Sequence, residues 1–209
     1  MRLSPERFNG WLGNIGQVFG WQRAYFCPCR DPHSGSPDMN CPHCFGKGYA
    51  WDGPIPSVSG IAGQKIQREW AQFGMWESGD VVLTIPSNSP MYAMGEFDRA
   101  TMSHSSQPFS TYLRSLDQAM PWIIVSIDRV FWLNDGEAVD LALPTISEDG
   151  RSLVWAAPGP VPPGVMLSVT GRRRPEYFCW GDFPSDRAHH SGADLPRRVV
   201  LRRFDLYGR

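Results

Sequence analysis

Four of the five cysteines, Cys27, Cys29, Cys41 and Cys44, fall within eighteen residues, and nothing else in the chain restricts the fold as strongly. Thiolate is a good zinc ligand, a structural site takes four ligands in a tetrahedron, and two short Cys pairs joined by a turn-rich loop bring four sulfurs to one point. Residues 27–49 read CPCRDPHSGSPDMNCPHCFGKGY, so the pairs are Cys27/Cys29 and Cys41/Cys44. The second pair has the form Cys-Pro-x-Cys-x-Gly-x-Gly, in which proline fixes the turn and the glycines let backbone N–H groups approach sulfur. The first pair is tighter, with only Pro28 between its ligands. His33 and His43 are alternative ligands, but four sulfurs are the simpler set. Four thiolates leave no open position, which a catalytic zinc requires. The deaminase arrangement, a His-x-Glu ahead of Pro-Cys-x-x-Cys, is also absent. The expectation is a structural Zn²⁺ on Cys27, Cys29, Cys41 and Cys44, whose binding energy folds a small loop-rich module.

The remaining chain is large enough for a core of its own, with 209 residues of which 42% are hydrophobic and 20% charged. One main domain with an appended module follows: an N-terminal arm over 1–20, the zinc module over 21–53 and a β domain over 54–209. No stretch approaches the roughly 18 to 20 apolar residues of a membrane helix, and the opening MRLSPERFNG has no signal-peptide core. These features lead us to expect a soluble protein in a reducing compartment with no membrane partner, and cysteines in metal-ligand rather than disulfide spacing agree. Of twenty basic residues only Lys47 and Lys65 are lysines, and there are nine Trp, eleven Phe and six Tyr. Arginine and aromatics suit contact surfaces; a GC-rich genome would give the same arginine bias.

Residues 4–19 begin with Ser4-Pro5-Glu6, a cap followed by proline, and place Phe8, Trp11, Leu12, Ile15 and Val18 at helical spacing. Glycines at 10, 13 and 16 each weaken such a helix by roughly 0.5 to 1 kcal/mol, so it needs a partner surface, on its own domain or on a neighbour. Residues 50–63 read as a linker entering a strand. Short β-type runs then follow at 79–85, 122–133, 137–143 after the Asn134-Asp135-Gly136 turn, 152–156, 165–171 beyond the proline-rich 158–164 loop, 177–180 and 197–206. Seven or more such runs predict a mainly β chain built as a single β-barrel or β-sandwich. A second, short helix is expected near 110–116, and long loops over 86–110 and 181–195.

No catalytic constellation emerges, and the chain is not expected to be an enzyme. His189-His190 lies near Asp182 and Asp186 in a polar loop, where a solvated role outweighs a metal or acid–base pair. Ser103 and Ser105 flank His104 without a nucleophile elbow, and no phosphate-loop Gly-Lys-Ser/Thr is present. Cys179, between Phe178 and Trp180, reads as a core thiol. Basic clusters at Arg172-Arg173-Arg174, Arg197-Arg198 and Arg202-Arg203 suit a phosphate backbone or carboxylates of a neighbouring subunit. Over 197–202 the alternation of apolar and charged residues is not clean.

The Cys-Pro-His-Cys knuckle resembles one half-repeat of the chaperone cysteine-rich domain, which strings together several copies where this chain has one. A broader resemblance runs along most of the chain. The early CPC…CPHCFGKGY module, the 74–80 turn GMWESGD into a strand ending IPS, then Pro175-Glu176-Tyr177-Phe178, Asp186-Arg187 and LPRRVVLRRFD over 195–205 together resemble the neck proteins of tailed bacteriophages, the head-to-tail connector or head-completion class. That resemblance implies a virion structural protein, assembled in the host cytoplasm, that forms a homo-oligomeric ring between portal or adaptor and tail and continues the DNA channel. It also implies an arm reaching the next subunit and possible DNA contact through Arg172, Arg173, Arg174, Arg197, Arg198, Arg202 and Arg203. A second expectation, of another class, is a zinc-ribbon and OB-like nucleic-acid-binding protein; a net charge of −1 gives it no dominant electrostatic footprint.

Overall fold

The computed structural model describes residues 4–72, 74, 76–156, 161, 164–183, 189–190 and 192–207. Met75 of the 74–80 turn, Asp186 and Arg187, and residues 158–160, 162 and 163 of the proline-rich loop lie outside the described residues. The first strands are β1 (Gln17–Gln22), β2 (Ala24–Phe26), β3 (Tyr49–Trp51), β4 (Ile55–Ile61), β5 (Val81–Ile85), β6 (Arg99–Met102), β7 (Gln107–Leu113) and β8 (Ile124–Asn134). They are followed by β9 (Glu137–Asp140), β10 (Thr145–Ile146), β11 (Leu153–Val154), β12 (Leu167–Arg173), β13 (Glu176–Asp182), β14 (His189–His190), β15 (Ala193–Asp194) and β16 (Arg197–Arg203). Two helices, α1 (Pro5–Ile15) and α2 (Gln64–Gln72), accompany them. No helix among the described residues is long and apolar enough to cross a membrane.

The chain forms two compact units, one of residues 1–103 with 176–209 and one of residues 104–175. The first holds a closed barrel in the order β1-β4-β5-β16-β13-β6, with β6 returning to β1. Its interior is filled by Phe19, Trp21, Leu83, Ile85, Met91, Met94, Ala100, Met102, Cys179, Val199 and Leu201. The mainly β barrel expected from the strand runs is therefore present. The units do not follow the expected partition at 20/21 and 53/54, because β1 and β4, on either side of the cysteine segment, lie side by side in one barrel.

The imperfect alternation of 197–202 has a physical cause. Val199 and Leu201 enter the barrel interior, while Val200 on the other face is buried with Val82, Ala62, Trp70 and Phe183. Covered on both faces, β16 reads as an apolar run rather than a period of two.

Several elements differ from the sequence expectation. The helix predicted over 4–19 ends at Ile15, and Gln17–Gln22 is a barrel strand because Phe19 and Trp21 alternate into the interior. Helix α1 is capped by Ser4, packs in cis on β4 through buried Leu12, and ties Asn9 Nδ2 to Ser87 Oγ at 2.8 Å. A Cβ on Gly60 would stand 2.6 Å from Leu12 Cδ2, so a side chain there would displace Leu12. The helix predicted near 110–116 is strand β7, whose alternate residues Phe109 and Leu113 join a sheet core. Within the 86–110 stretch taken as a loop, Met91 and Met94 plug the barrel and β6 closes it with all four residues buried. The 181–195 stretch holds the end of β13 and the short β14–β15 hairpin.

In the second unit an antiparallel sheet of order β7-β12-β8-β9 carries a core of Leu113, Met120, Ile124, Val130, Leu153, Leu167 and Val169. The β8–β9 hairpin turns through Asp135 and Gly136, both at positive φ, as a two-residue turn matched to strand twist demands.

Candidate metal centre

The segment that enters from β2 and leaves through β3 folds back on itself, and those two strands pair from Ala24↔Trp51 to Phe26↔Tyr49. That pairing closes the base of the loop, with Cys27 N–H donating to Gly48 O at 3.0 Å. The sulfurs of Cys27, Cys29, Cys41 and Cys44 then converge within 4.8 Å of one another. Two separations between the knuckles are 3.7 Å for Cys27–Cys41 and 3.5 Å for Cys29–Cys44. A tetrahedron with metal–sulfur bonds of about 2.3 Å has sulfur–sulfur edges of about 3.8 Å, so the set fits a four-thiolate metal site. Three of the four cysteines are buried, and no other group of three or more metal-ligating side chains occurs among the described residues. His33 and His43 are exposed and outside the cluster.

Local hydrogen bonding prepares the sulfurs unequally. Backbone N–H groups of Cys44 and His43 aimed at Cys41 stabilise its thiolate and bring its pKa down to about 6. Desolvation pushes the Cys29 thiol up to about 12. One anionic sulfur makes a second costly at this range, so full deprotonation of the set needs a cation at its centre. The connecting loop is shaped by Asp31, whose Oδ1 accepts from the backbone N–H groups of Ser34 at 2.7 Å and His33 at 2.9 Å; these bonds hold its carboxyl below the usual range.

The loop is fastened to the barrel by aromatic and cationic side chains that sequence reasoning did not single out. Arg30 donates from Nε to Gly48 O at 2.9 Å and lies over the rings of Phe26 and Tyr49, at 4.4 and 4.7 Å from their centroids. Gly48 has a φ of +74°, and a Cβ there would meet the Arg30 guanidinium. Tyr49 stacks on Phe97 at 4.6 Å, and Trp51 Nε1 donates to Phe97 O at 2.9 Å. Lys47 Nζ donates to Tyr207 O at 3.1 Å, while Tyr207 Oη donates back to Lys47 O at 3.3 Å. Burial, then the charge of Arg99, lowers the Lys47 pKa. Arg30 and Lys47 thus bring two cationic side chains to the segment that carries the cysteines. The one available signal was that Lys47 is among only two lysines.

The other residues singled out from sequence fall elsewhere. Cys179 is buried in the barrel interior, and desolvation pushes its thiol up to about 12, as for an inert core residue. His189 Nε2 lies 2.9 Å from Asp194 Oδ1 on the surface, and His104 is exposed. The arginine clusters are largely engaged within the fold. Arg202 makes a bidentate pair with fully buried Asp80, at 3.1 Å from Nε and 3.0 Å from Nη2. Arg197 is paired with Asp182 and also donates to Met94 O at 2.7 Å; Arg203 is paired with Asp205. Arg172 donates to Ser106 Oγ at 2.7 Å, and Arg173 lies 4.2 Å over Trp122. Arg174 and Arg198 are half-buried. Comparison with protein-family models and with curated proteins finds no match to this chain.

Proposed function

We propose that this chain is a structural subunit of a tailed-phage neck, forming a homo-oligomeric ring between portal and tail that completes the head and continues the DNA channel. The four-cysteine site in this reading holds Zn²⁺, the common occupant of a closed tetrahedral sulfur set, and acts as a staple. The observation that carries the reading is the apolar surface on stiffened elements. Phe26, Met39 and Phe45 of the cysteine segment are 64%, 76% and 78% exposed, and α1 exposes Phe8, Trp11 and Ile15. Holding large apolar side chains in water on a clamped loop is costly for a monomer and suits a protein whose partners cover them. The resemblance to neck proteins in the order of sequence features supports the partners proposed here, namely a second copy, the portal or adaptor, and the tail.

The nucleic-acid-binding reading has less support, because Arg197, Arg202 and Arg203 are held by Asp182, Asp80 and Asp205. DNA contact in the channel then falls mainly to Arg174 and Arg198. The test is co-expression with the products of the flanking genes, followed by affinity capture and negative-stain imaging. Capture of a portal and ring-shaped particles are expected. A chain that captures no portal, forms no rings and binds short DNA with a steep salt dependence would overturn the reading in favour of the second.

A further inference from the structure

We propose that copies of this chain join edge to edge through the sheet of the second unit, β9 of one copy adding to β7 of the next. This rests on the ring reading above, for which it names a contact. Among the described residues neither β7 nor β9 has a strand on its outer side, so each presents a row of unpaired backbone groups.

Which groups face outward follows from the ladder. Leu141 N–H donates to Val130 O at 2.9 Å, continuing the register in which Val139 faces Trp132 and Glu137 faces Asn134. Bonds in an antiparallel pair alternate, so the backbone groups of Ala138 and Asp140 point away from β8. On β7, Pro108 has no N–H and is tolerated where that position faces outward. The outward set there is Pro108, Ser110 and Tyr112.

Face and direction agree with this. Phe109 and Leu113 of β7 turn toward the sheet core, as does Trp132 opposite Val139, so odd-numbered residues share the inner face on both edges. All neighbours in the sheet are antiparallel. With four strands, a copy related by rotation therefore presents β7 antiparallel to β9 with no strand reversed. The register that places Ala138 opposite Tyr112 and Asp140 opposite Ser110 satisfies both hydrogen-bond and face parity.

Charge favours the same register. It sets exposed Arg114 opposite Gly136, beside the turn that carries Asp135 and Glu137; residues 134–140 hold three acids and no base, of which Asp140 is already paired with Arg129, and 107–114 one base and no acid. It also covers Val139 and Tyr112, which are 37% and 53% exposed. Because one edge differs from the other, the contact is heterologous, the type that repeats around a ring when the rotation between copies closes.

The test is sedimentation of the full chain across a concentration series, with circular dichroism as the fold check. Ala138→Pro removes an outward N–H without touching the β8–β9 ladder, and self-association should weaken about tenfold or more. Arg114→Glu should weaken it by up to roughly fivefold, and Glu137→Arg in the same chain should restore it. Should Ala138→Pro fail to fold, the charge-reversal pair decides alone. Assembly unchanged by Arg114→Glu or by a folded Ala138→Pro chain overturns the edge contact and leaves the ring reading standing. A wild-type chain that stays monomeric at every concentration also overturns the edge contact, while portal capture tests the neck reading separately.

Discussion

Replacing Asp80 by alanine removes the carboxylate that anchors Arg202 inside the first unit. Asp80 is fully buried at its side chain and Arg202 is 11% exposed. Besides the two guanidinium bonds, Asp80 Oδ2 accepts from Glu77 N–H at 3.1 Å and from Trp70 Nε1 at 3.4 Å, and the guanidinium lies 4.1 Å over Trp180. Deleting one partner of such a pair leaves a buried charge uncompensated, at a cost of about 3 to 5 kcal/mol. For a chain of this size each kcal/mol lowers the melting temperature by about 2 to 4 °C, so Asp80→Ala should lower it by roughly 6 to 20 °C. Urea unfolding followed by tryptophan fluorescence measures the free energy, and Trp70 and Trp180 report the site directly. Adding Arg202→Met removes the stranded charge and should recover most of the loss. A loss under about 1 kcal/mol for Asp80→Ala, or no recovery in the double variant, would refute Arg202 as an internal strut and return it to the surface contacts expected from sequence.

Cys44→Ser should abolish metal retention, whereas Cys179→Ala should keep it, as read by elemental analysis; equal metal loss would contradict the division between site and core cysteines. Chelation should raise hydrogen exchange over 27–49 and, through the Lys47–Tyr207 clamp, over 204–207, with β5 and β16 unchanged; uniform exchange would show that the site supports the whole barrel. Gly60→Val should push Leu12 off β4 at a cost of about 1 to 3 kcal/mol and expose α1 to limited proteolysis, and protection equal to wild type would show that α1 is held some other way.

The strands were legible where they carry β-branched or aromatic runs, as in β5 and β16 of the barrel and β8 of the second sheet, and illegible where packing overrides local pattern. Strand β6 has the unremarkable sequence Arg-Ala-Thr-Met and is a strand because its neighbours β1 and β13 pair with it on both sides. Helix α2 lies in a run of Gln, Lys, Arg and Glu, where Ile66 and buried Trp70 alone mark the packed face. The four-cysteine cluster could be picked from spacing alone because its members lie within eighteen residues. Their clamp could not, since Lys47 and Tyr207 are 160 residues apart and no periodicity links them. The carboxylates that hold Arg202 and Arg197 were hidden for the same reason, Asp80 lying 122 and Asp182 15 residues away.

Native mass spectrometry of the intact, purified chain reads both the staple and the ring. A discrete oligomer is expected, whose mass is a whole-number multiple of the 23.5 kDa chain plus one zinc ion per copy. A metal-free species of 23.5 kDa, folded around residues 27–49 and monomeric at every concentration, would contradict it.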